Sequence, residues 1–302
     1  MRDLLWADNV SFRYAPGAPL VVDGVTLRLA DGALAGILGP NGSGKTTLLR
    51  LLSGTRRPSS GRVLLGPSTS LSASDRSLDQ LSRREVARQI AVVPQETELA
   101  FEYRALEMVL MGRHPHLGMF ALEGPDDIRI AEDAMAATGT SHLAERPFHE
   151  LSGGEKQRVV IAGALAQLGL PNSAPSAPSV ALLDEPTASL DLGYQLEISS
   201  LLSRLNHDHG VTMAISTHDL NLAASICREL VLMRDGRVLA AGPTADVLTP
   251  QNIKALYDVE ADVRFHHESG HMTVVPVRMS SRSSFAKPSD FAKATSDQPA
   301  DK

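Results

Sequence analysis

The sequence predicts an α/β fold in which short buried strands alternate with amphipathic helices. An unbroken apolar stretch at Leu34–Leu38 is followed by a glycine-rich loop and then by good helix formers at Thr47–Leu52. Two more short apolar stretches, Ile90–Val93 and Val180–Leu183, are typical of buried parallel strands. The segment Gly193–Leu205 carries one apolar stripe at helical spacing. This alternation favours a parallel sheet covered by helices.

The glycine-rich loop fits the phosphate-binding pattern G-x-x-x-x-G-K-S/T at every fixed position. Its eight residues are Gly39, Pro40, Asn41, Gly42, Ser43, Gly44, Lys45 and Thr46. Glycines allow several backbone N–H groups to close on phosphate oxygens at the positive end of a helix. Lys45 adds a full charge toward the β- and γ-phosphates, Thr46 offers a hydroxyl to Mg²⁺, and Thr47 is placed to reach the α-phosphate. The loop therefore predicts a site for a nucleotide.

Composition narrows the partners that can be expected. The chain has 302 residues, a mass of 32.3 kDa and 43% apolar residues, which suffices for one large or two small domains. Its 29 basic and 35 acidic residues give a net charge of −6, so we expect no nucleic acid partner. The single cysteine, Cys227, is expected as a small buried residue in a reducing compartment. We expect neither a signal peptide nor a membrane span, so any membrane role requires a partner.

The first part of the chain predicts antiparallel strands. Apolar and polar residues alternate from Trp6 to Tyr14, which puts Val10, Phe12 and Tyr14 on one face. A second strand is expected at Leu20–Leu29, after a break rich in proline and glycine. Tyr14 stands at the end of the first strand, where an aromatic ring can stack on a nucleotide base.

Between Glu96 and Glu150 the pattern changes to helices separated by loops, which indicates a helical insert within the α/β domain. Further strands are expected at Arg62–Leu65, Val211–Ser216, Leu230–Met233 and Arg237–Ala240; further helices at Ser82–Gln89, Ala105–Met111, Asp126–Thr138, Gly154–Leu168, Asp219–Arg228, Thr244–Leu248 and Gln251–Tyr257; an exposed loop at Gly66–Gln80; and irregular structure at Gly112–Gly124. The dipeptide Asp235-Gly236 predicts a hairpin between the last two strands.

A second candidate anion site opens the helix after Leu151. Ser152 and Glu155 form a capping-box pattern, and the glycines between them expose backbone N–H groups at a positive helix end. By itself this is a well-capped helix. The stretch reads LSGGEKQ, however, and resembles the signature motif of the ABC-type ATPases.

The resemblance implies roles for residues that follow in family order. Asp184 and Glu185 end an apolar strand as in the Walker B motif, where Asp184 would help hold Mg²⁺ and Glu185 would orient and polarise the attacking water. Ser189-Leu190-Asp191 is similar to the D-loop, which touches the opposing subunit at the nucleotide site. His218, in STHD, matches the switch histidine that contacts the γ-phosphate.

Two further landmarks precede the signature motif. Gln95 matches the Q-loop, which approaches Mg²⁺ and water and joins the helical subdomain, and Tyr14 matches the A-loop aromatic that stacks on adenine. The resemblance implies a P-loop NTPase of ABC type with a RecA-like core, an N-terminal antiparallel β subdomain and an inserted α-helical subdomain. We expect one ATPase domain over 1–279, with the helical subdomain at about 96–168, and a tail at 280–302 whose composition lacks the apolar content to fold.

The phosphate loop and the signature helix belong, in this family, to different halves of each site. The resemblance therefore implies that two copies meet head to tail. Ser152, Gly153 and Gly154 of one copy would cap the γ-phosphate held by Lys45 of the other. ATP and Mg²⁺ are the implied ligands, and hydrolysis would let the two copies part.

Other stretches resemble the subunits that serve iron-siderophore, haem and cobalamin permeases. Met111–Gly118 is similar to their GR-x-P-x-LG stretch, and Gly163–Gln167, Asp191–Gln195 and Leu256–Val259 are in the same style. The implied function is the ATP-hydrolysing subunit of an importer. Its partners would be integral membrane permeases and, indirectly, a substrate-binding protein, and it would lie at the cytoplasmic face of the inner membrane as a peripheral subunit.

The alternative is a soluble ABC ATPase that acts on ribosomes or DNA. Such a protein should show two nucleotide domains in one chain, or a basic surface. The 107 positions that separate Lys45 from Ser152 suffice for a helical subdomain and are too few for the long coiled coil of the DNA-repair ABC ATPases.

Some residues receive no function at this point. We interpret His114 and His116 as contact or surface residues rather than metal ligands. The cluster of His266, His267 and His271 is expected as solvated terminal structure, with metal sensing as the alternative. The loop at 169–179 and the C-terminal tail are assigned no role.

Overall fold

A computed structural model describes residues 3–66, 76–97, 101–170, 179–188, 190–268 and 270–279. The strands in these ranges are β1 (Asp3–Phe12), β2 (Val22–Ala30), β3 (Leu34–Leu38), β4 (Ser60–Leu65), β5 (Arg76–Ser77), β6 (Ile90–Val93), β7 (Val180–Asp184), β8 (Thr212–Thr217), β9 (Glu229–Arg234), β10 (Arg237–Pro243), β11 (Val259–His266) and β12 (His271–Met279). The helices are α1 (Lys45–Leu52), α2 (Arg83–Ala87), α3 (Ala105–Leu110), α4 (Pro125–Ala137), α5 (Gly153–Leu168), α6 (Leu192–His209), α7 (Leu220–Ile226), α8 (Thr244–Val247) and α9 (Pro250–Tyr257). The predicted alternation of strands and helices is confirmed.

A six-stranded sheet in the order β10-β9-β3-β8-β7-β6 forms the centre of the molecule. All its neighbouring pairs are parallel except β9 with β10. Every residue of β3, β7 and β8 is buried, as expected for central strands covered on both faces. Because these strands are parallel, their carboxyl ends meet at one edge, where open α/β sheets bind ligands.

A second sheet, in the order β2-β1-β4-β5, packs over α1. Its apolar side chains, Leu5 and Leu65 among them, share one core cluster with Leu48 of α1 and with Ile37 and Leu182 of the central sheet. The helix that begins at the phosphate loop is therefore clamped between two sheets.

The predicted helical insert is present as α3, α4 and the signature helix α5. Buried residues from all three, such as Val109, Met135 and Leu165, join the larger core cluster, which continues into the central sheet. The predicted stripe of α6 also faces this cluster through Ile198, Leu201, Leu202 and Leu205.

Several local expectations needed correction. Arg76–Ser77 pairs with β4, so the described end of the expected loop Gly66–Gln80 is a short strand. Met111–His116 forms a 3₁₀ turn within the stretch expected to be irregular. Tyr14 lies outside β1, and a register shift at Val10 interrupts the alternation that placed it on one face.

The C-terminal hairpin β11–β12 was not predicted, whereas the hairpin at Asp235-Gly236 is confirmed. Both residues of that turn have positive φ, +51° and +78°. Most of the 169–179 loop, the tail at 280–302 and Ser189 lie outside the described residues. Within the described ranges, no helix combines the length and apolar character needed to cross a bilayer.

Candidate nucleotide site

The loop between β3 and α1 has the close backbone contacts that require glycine. Gly44 precedes α1 with φ of +101°, and Gly42 has φ of +81°, both in the region that L side chains rarely adopt. A Cβ atom at Gly39 would lie 2.2 Å from the carbonyl oxygen of Met233, and one at Gly44 would lie 2.6 Å from that of Val21. Gly39 and Gly44 therefore leave no room for a side chain, and Gly42 adopts a φ that strains other residues.

Lys45, the first residue of α1, is folded back over the loop. Its Nζ donates hydrogen bonds to the carbonyl oxygens of Gly39 at 2.8 Å and Pro40 at 3.3 Å. The same atom lies 3.7 Å from Oε1 of Glu185. The lysine is 5% exposed, so its charge is held beneath the loop rather than in open water. A buried ammonium in this position is suited to bind phosphate oxygens.

Thr46 and Asp184 bring two oxygen donors together at the ends of neighbouring elements. The Thr46 hydroxyl donates to Oδ1 of Asp184 at 3.1 Å, and the Ser216 hydroxyl donates to the same oxygen at 2.5 Å. Asp184 is buried. Mg²⁺ is bound by oxygen ligands. A hydroxyl beside a carboxylate can provide two of them, with phosphate and water oxygens as the others. The described residues contain no group of three His, Cys, Asp or Glu residues that could hold a metal by themselves.

Glu185 follows directly after β7 and faces both Lys45 and His218. Its φ of +47° is unusual for a residue other than glycine, and its N–H is held by the Ser216 carbonyl oxygen at 3.0 Å and hydroxyl at 3.1 Å. Oε2 lies 3.2 Å from Nδ1 of His218, which follows β8. The structure thus brings together the carboxylate and the imidazole that the sequence places 33 positions apart.

Lys45, Thr46, Glu185 and His218 line one cavity of about 510 Å³, whereas Asp184 lies behind Thr46 and is not part of the lining. It is lined by Val21, Asn41, Gly42, Ser43, Gly44, Lys45, Thr46, Thr47, Gln95, Glu185, Ala188 and His218. The hydroxyl of Ser43 is buried and has no hydrogen-bond partner within the described residues. Such an atom is normally paired, which favours a polar ligand at the loop.

Tyr14 lies beside the loop rather than among the residues that line the cavity. Its hydroxyl is 3.0 Å from Oγ1 of Thr47, and its ring packs edge-on against Phe12 with centroids 5.0 Å apart. The guanidinium carbon of Arg56 lies 6.0 Å from the ring centroid. Tyr14 is 51% exposed, which leaves ring surface open to a flat ligand.

The signature residues do not line this cavity. Ser152 caps α5 through the predicted capping box: its N–H donates to Glu155 Oε2 at 2.8 Å, and its hydroxyl accepts from the Glu155 N–H at 3.3 Å. The hydrogen bond from the Ser152 backbone is the largest influence that lowers the pKa of Glu155. A Cβ at Gly154 would lie 2.2 Å from Cδ1 of Tyr194, so the α6 ring packs directly on this glycine.

One predicted residue lies away from the cavity, and one residue of the site was not predicted. Asp191 caps α6 by accepting from the N–H of Tyr194 at 3.1 Å and does not reach the cavity of its own chain. Ser216 was missed, although it contacts both Asp184 and Glu185. Its signal was weak: a hydroxyl near the end of an apolar strand, two residues before His218.

The comparisons with known proteins agree with this geometry. A family model described as ABC transporter matches residues 22–188. The hemin import ATP-binding protein HmuV of Bordetella pertussis (strain Tohama I) is 43% identical over 83% of this chain and 90% of its own length. The cobalamin import ATP-binding protein BtuD of Halobacterium salinarum (strain R1) is 40% identical over 85% of this chain and 60% of its own length.

Solved structures show the same fold. A chain of a metal-chelate type ABC transporter, determined in an inward-facing conformation, is 31% identical with a TM-score of 0.75, covering 92% of this chain and 98% of its own. A bacterial ABC transporter cassette solved as a dimer is 27% identical with a TM-score of 0.65, covering 80% and 99%.

Proposed function

This chain belongs to the ABC transporter family and is an ATP-hydrolysing subunit of an importer. We propose that it powers the uptake of an iron-siderophore, haem or cobalamin. The observation that carries this proposal is the similarity to hemin and cobalamin import proteins over more than four fifths of the chain. The 111–116 turn belongs to the stretch that resembles this group of importers, and it packs on the signature helix α5. Gly112 packs on Gly163 so closely that a Cβ would lie 2.3 Å from its carbonyl oxygen, and Arg113 donates to Ala166 O at 2.7 Å.

We assign the roles of the site residues as follows. Lys45 and the backbone N–H groups of the loop bind the phosphates, and the ring of Tyr14 contacts the adenine. Glu185 orients the attacking water and accepts its proton as the water oxygen bonds to the γ-phosphorus; the bond from that phosphorus to the β–γ bridging oxygen breaks, and ADP is the leaving group. His218 contacts the γ-phosphate and, at 3.2 Å from Glu185, also fixes that carboxylate. Gln95 contributes from the segment that joins the core to the helical insert.

Thr46 and Asp184, with Gln95, would hold Mg²⁺. The contact of 3.1 Å between the Thr46 hydroxyl and the Asp184 carboxylate supports this assignment, since both are hard oxygen donors. When bound, the ion supplies positive charge to the phosphate oxygens.

We propose that two copies complete each site head to tail, with Ser152, Gly153, Gly154 and Asp191 of one copy facing the phosphates held by the other. In support, these residues lie outside the cavity lining of their own chain, and a related cassette has been solved as a dimer. No nucleic acid partner is part of this proposal.

The permease is proposed to dock on the helical insert. Large apolar side chains are exposed there at Phe101, Met119, Phe120, Leu122 and Ile128, and Phe120 is 98% exposed. Large apolar side chains exposed in one part of a chain are typical of a surface that binds another protein. The subunit would then sit peripherally at the cytoplasmic face of the inner membrane, and a substrate-binding protein would act on the other side of the permease.

Uptake assays test the proposed substrate class. In a strain that lacks this gene, we expect loss of uptake of one among labelled hemin, cobalamin and ferric siderophore, with restoration by the wild-type chain. Glu185→Gln serves as the matched inactive control and should not restore uptake. Normal uptake of all three substrates in the deletion strain would reject the substrate class, and co-purification with ribosomes instead of a permease would reject the import function.

A further inference from the structure

The helix that follows His218 is tied closely to that residue. Asp219 caps α7, and its Oδ1 accepts hydrogen bonds from the N–H groups of Asn221 at 2.9 Å and Leu222 at 3.0 Å. The N–H of Asp219 donates in turn to Oγ1 of Thr217, at the end of β8, at 3.0 Å. His218 is therefore held between the end of a central strand and the first turn of α7, so a shift of that turn would move the imidazole.

The first turn of α7 is also bound to the C-terminal hairpin. Asn221 Nδ2 donates to the carbonyl oxygen of Val274 at 3.2 Å, and the Val274 N–H donates to Asn221 Oδ1 at 2.8 Å. The side-chain amide thus pairs with both polar groups of one β12 residue, as a peptide of a neighbouring strand would. Val274 is itself buried in the main core cluster. Asn221 is consequently bound to a residue, Val274, whose position is fixed by the packing of the core.

A second residue of the C-terminal region, Tyr257, is affected by the charge of Asp219. The hydroxyl of Tyr257, at the end of α9, is buried and has no hydrogen-bond partner within the described ranges. Burial first, and then the charges of Asp219 and Glu185, raise the pKa of this phenol to about 12. The α9 helix therefore places a neutral phenol within electrostatic reach of both carboxylates.

We propose that Asn221 is a positioning residue for ATP hydrolysis, which holds His218 beside Glu185 by fixing the first turn of α7 to Val274 of the C-terminal hairpin. The inference rests on the proposed role of His218. The family model ends at residue 188, so the hairpin and the switch histidine both lie beyond the segment that it matches. The β11–β12 hairpin then stabilises the position of His218 at the carboxyl end of β8.

The test is steady-state ATP hydrolysis by the full-length chain carrying Asn221→Ala. Because a misplacement of about 1 Å costs up to about a hundredfold in rate, we expect kcat to fall about tenfold or more while the KM for ATP changes less than about twofold. Asn252→Ala is the matched control: it removes a side-chain hydrogen bond of 2.8 Å to Val247 O in the same region, and kcat should stay unchanged. A kcat of Asn221→Ala equal to that of the wild type would overturn the proposal.

A double-mutant cycle separates positioning from general stability. In single-turnover experiments, Asn221→Ala should cost little further rate in a His218→Ala background, because its effect passes through the imidazole. An undiminished loss there would overturn the proposal. Asn221→Asp keeps the acceptor for Val274 N–H and should have an intermediate kcat, which allows the test even if the alanine variant does not fold. A His218→Ala variant with normal hydrolysis would instead remove His218 from the site.

Discussion

At the scale of single residues, the site depends on Glu185, whose backbone adopts a conformation unusual for any residue but glycine. The φ of +47° costs conformational energy, and two hydrogen bonds from its N–H to Ser216 offset part of that cost. As a result, the Glu185 carboxylate lies at the end of β7 within contact distance of both Lys45 and His218.

Glu185→Gln is expected to abolish turnover while ATP binding is retained. The amide preserves the shape of the side chain but cannot accept a proton, so we expect hydrolysis to fall about a hundredfold or more. Phosphate release measures turnover, and a fluorescent ATP analogue measures binding. Glu197→Gln, on the exposed face of α6, is the control and should hydrolyse ATP normally. Wild-type turnover by Glu185→Gln would remove this residue from its proposed role.

The residues of the site differ in how well the sequence predicted them. The phosphate loop, Asp184, Glu185 and His218 follow fixed patterns, and the structure gathers them at one edge of the sheet. Ser216 could not be predicted because its contacts arise from its register opposite Asp184 on the neighbouring parallel strand. That register is a property of the folded sheet and has no local pattern.

At the scale of elements, the packing of α6 on α5 explains one glycine of the signature motif. The ring of Tyr194 occupies the space where a side chain at Gly154 would lie, with the nearest ring atom 2.2 Å from an added Cβ. The first turn of α5 is therefore held by α6 as well as by its capping box.

Gly154→Ala is expected to lower the free energy of unfolding by about 1–3 kcal/mol, since the ring and both helices must move apart. Urea unfolding followed by circular dichroism measures the change. Gly193→Ala is the matched control, because an added Cβ there meets only Oδ1 of Asp191, at 3.5 Å. Adding Tyr194→Leu to Gly154→Ala should recover part of the loss. Equal stability of both alanine variants would contradict this packing argument.

A second element-scale prediction concerns the 3₁₀ turn that docks on the end of α5. His116 Nε2 lies 2.7 Å from the carbonyl oxygen of Gln167, and burial is the main cause that lowers the pKa of His116 below 6.5. A depressed folded-state pKa means that the neutral ring stabilises the fold above pH 6.5 and that this contribution is lost as pH falls through the lowered pKa.

His116→Gln should therefore flatten the fall in unfolding midpoint between about pH 7.5 and pH 5. Thermal unfolding at several pH values measures the slope. His142→Gln is the control: His142 is exposed, and the pH profile of this variant should match that of the wild type. An unchanged slope in His116→Gln would show that the docked imidazole does not titrate with folding.

Most elements were predictable because their apolar residues follow one clear period. The hairpin β11–β12 was missed, although Val259, Ala261, Val263 and Phe265 alternate with polar residues along β11; most residues of both strands are exposed or half-buried. It is held instead by contacts to α7 and α9, such as the pair between Asn221 and Val274. The alternation along β11 was a usable signal, and it would have placed His266 and His271, paired across this hairpin, on strands rather than in solvated terminal structure.

At the scale of the whole molecule, the rate at which the Cys227 thiol is alkylated measures how often the protein core opens. The thiol packs against Gly36 of β3 and is 5% exposed, and burial raises its pKa to about 12. Since the thiolate is the reactive form, alkylation requires the surrounding core to open.

Labelling of Cys227 by iodoacetamide should be very slow in native buffer and fast in denaturant. Magnesium and ATP should slow it further, because a ligand that binds only the folded state raises its stability. Mass spectrometry of the intact chain measures the labelled fraction over time, and free glutathione in the same tube controls for reagent activity. Rapid labelling of the native chain would contradict the buried position.

Because the native thiol is buried, thiol-reactive spectroscopic probes can be attached to this chain at chosen surface positions. Cys227 is the single cysteine of the sequence, and it is buried. A cysteine introduced at the exposed position Phe120 or Leu122 would therefore be the one reactive thiol on the native surface. A spin label or fluorophore attached there would carry no background from a second site. Pulsed distance measurements between two such labels could then follow the separation of two helical inserts through a nucleotide cycle, without first removing a native residue.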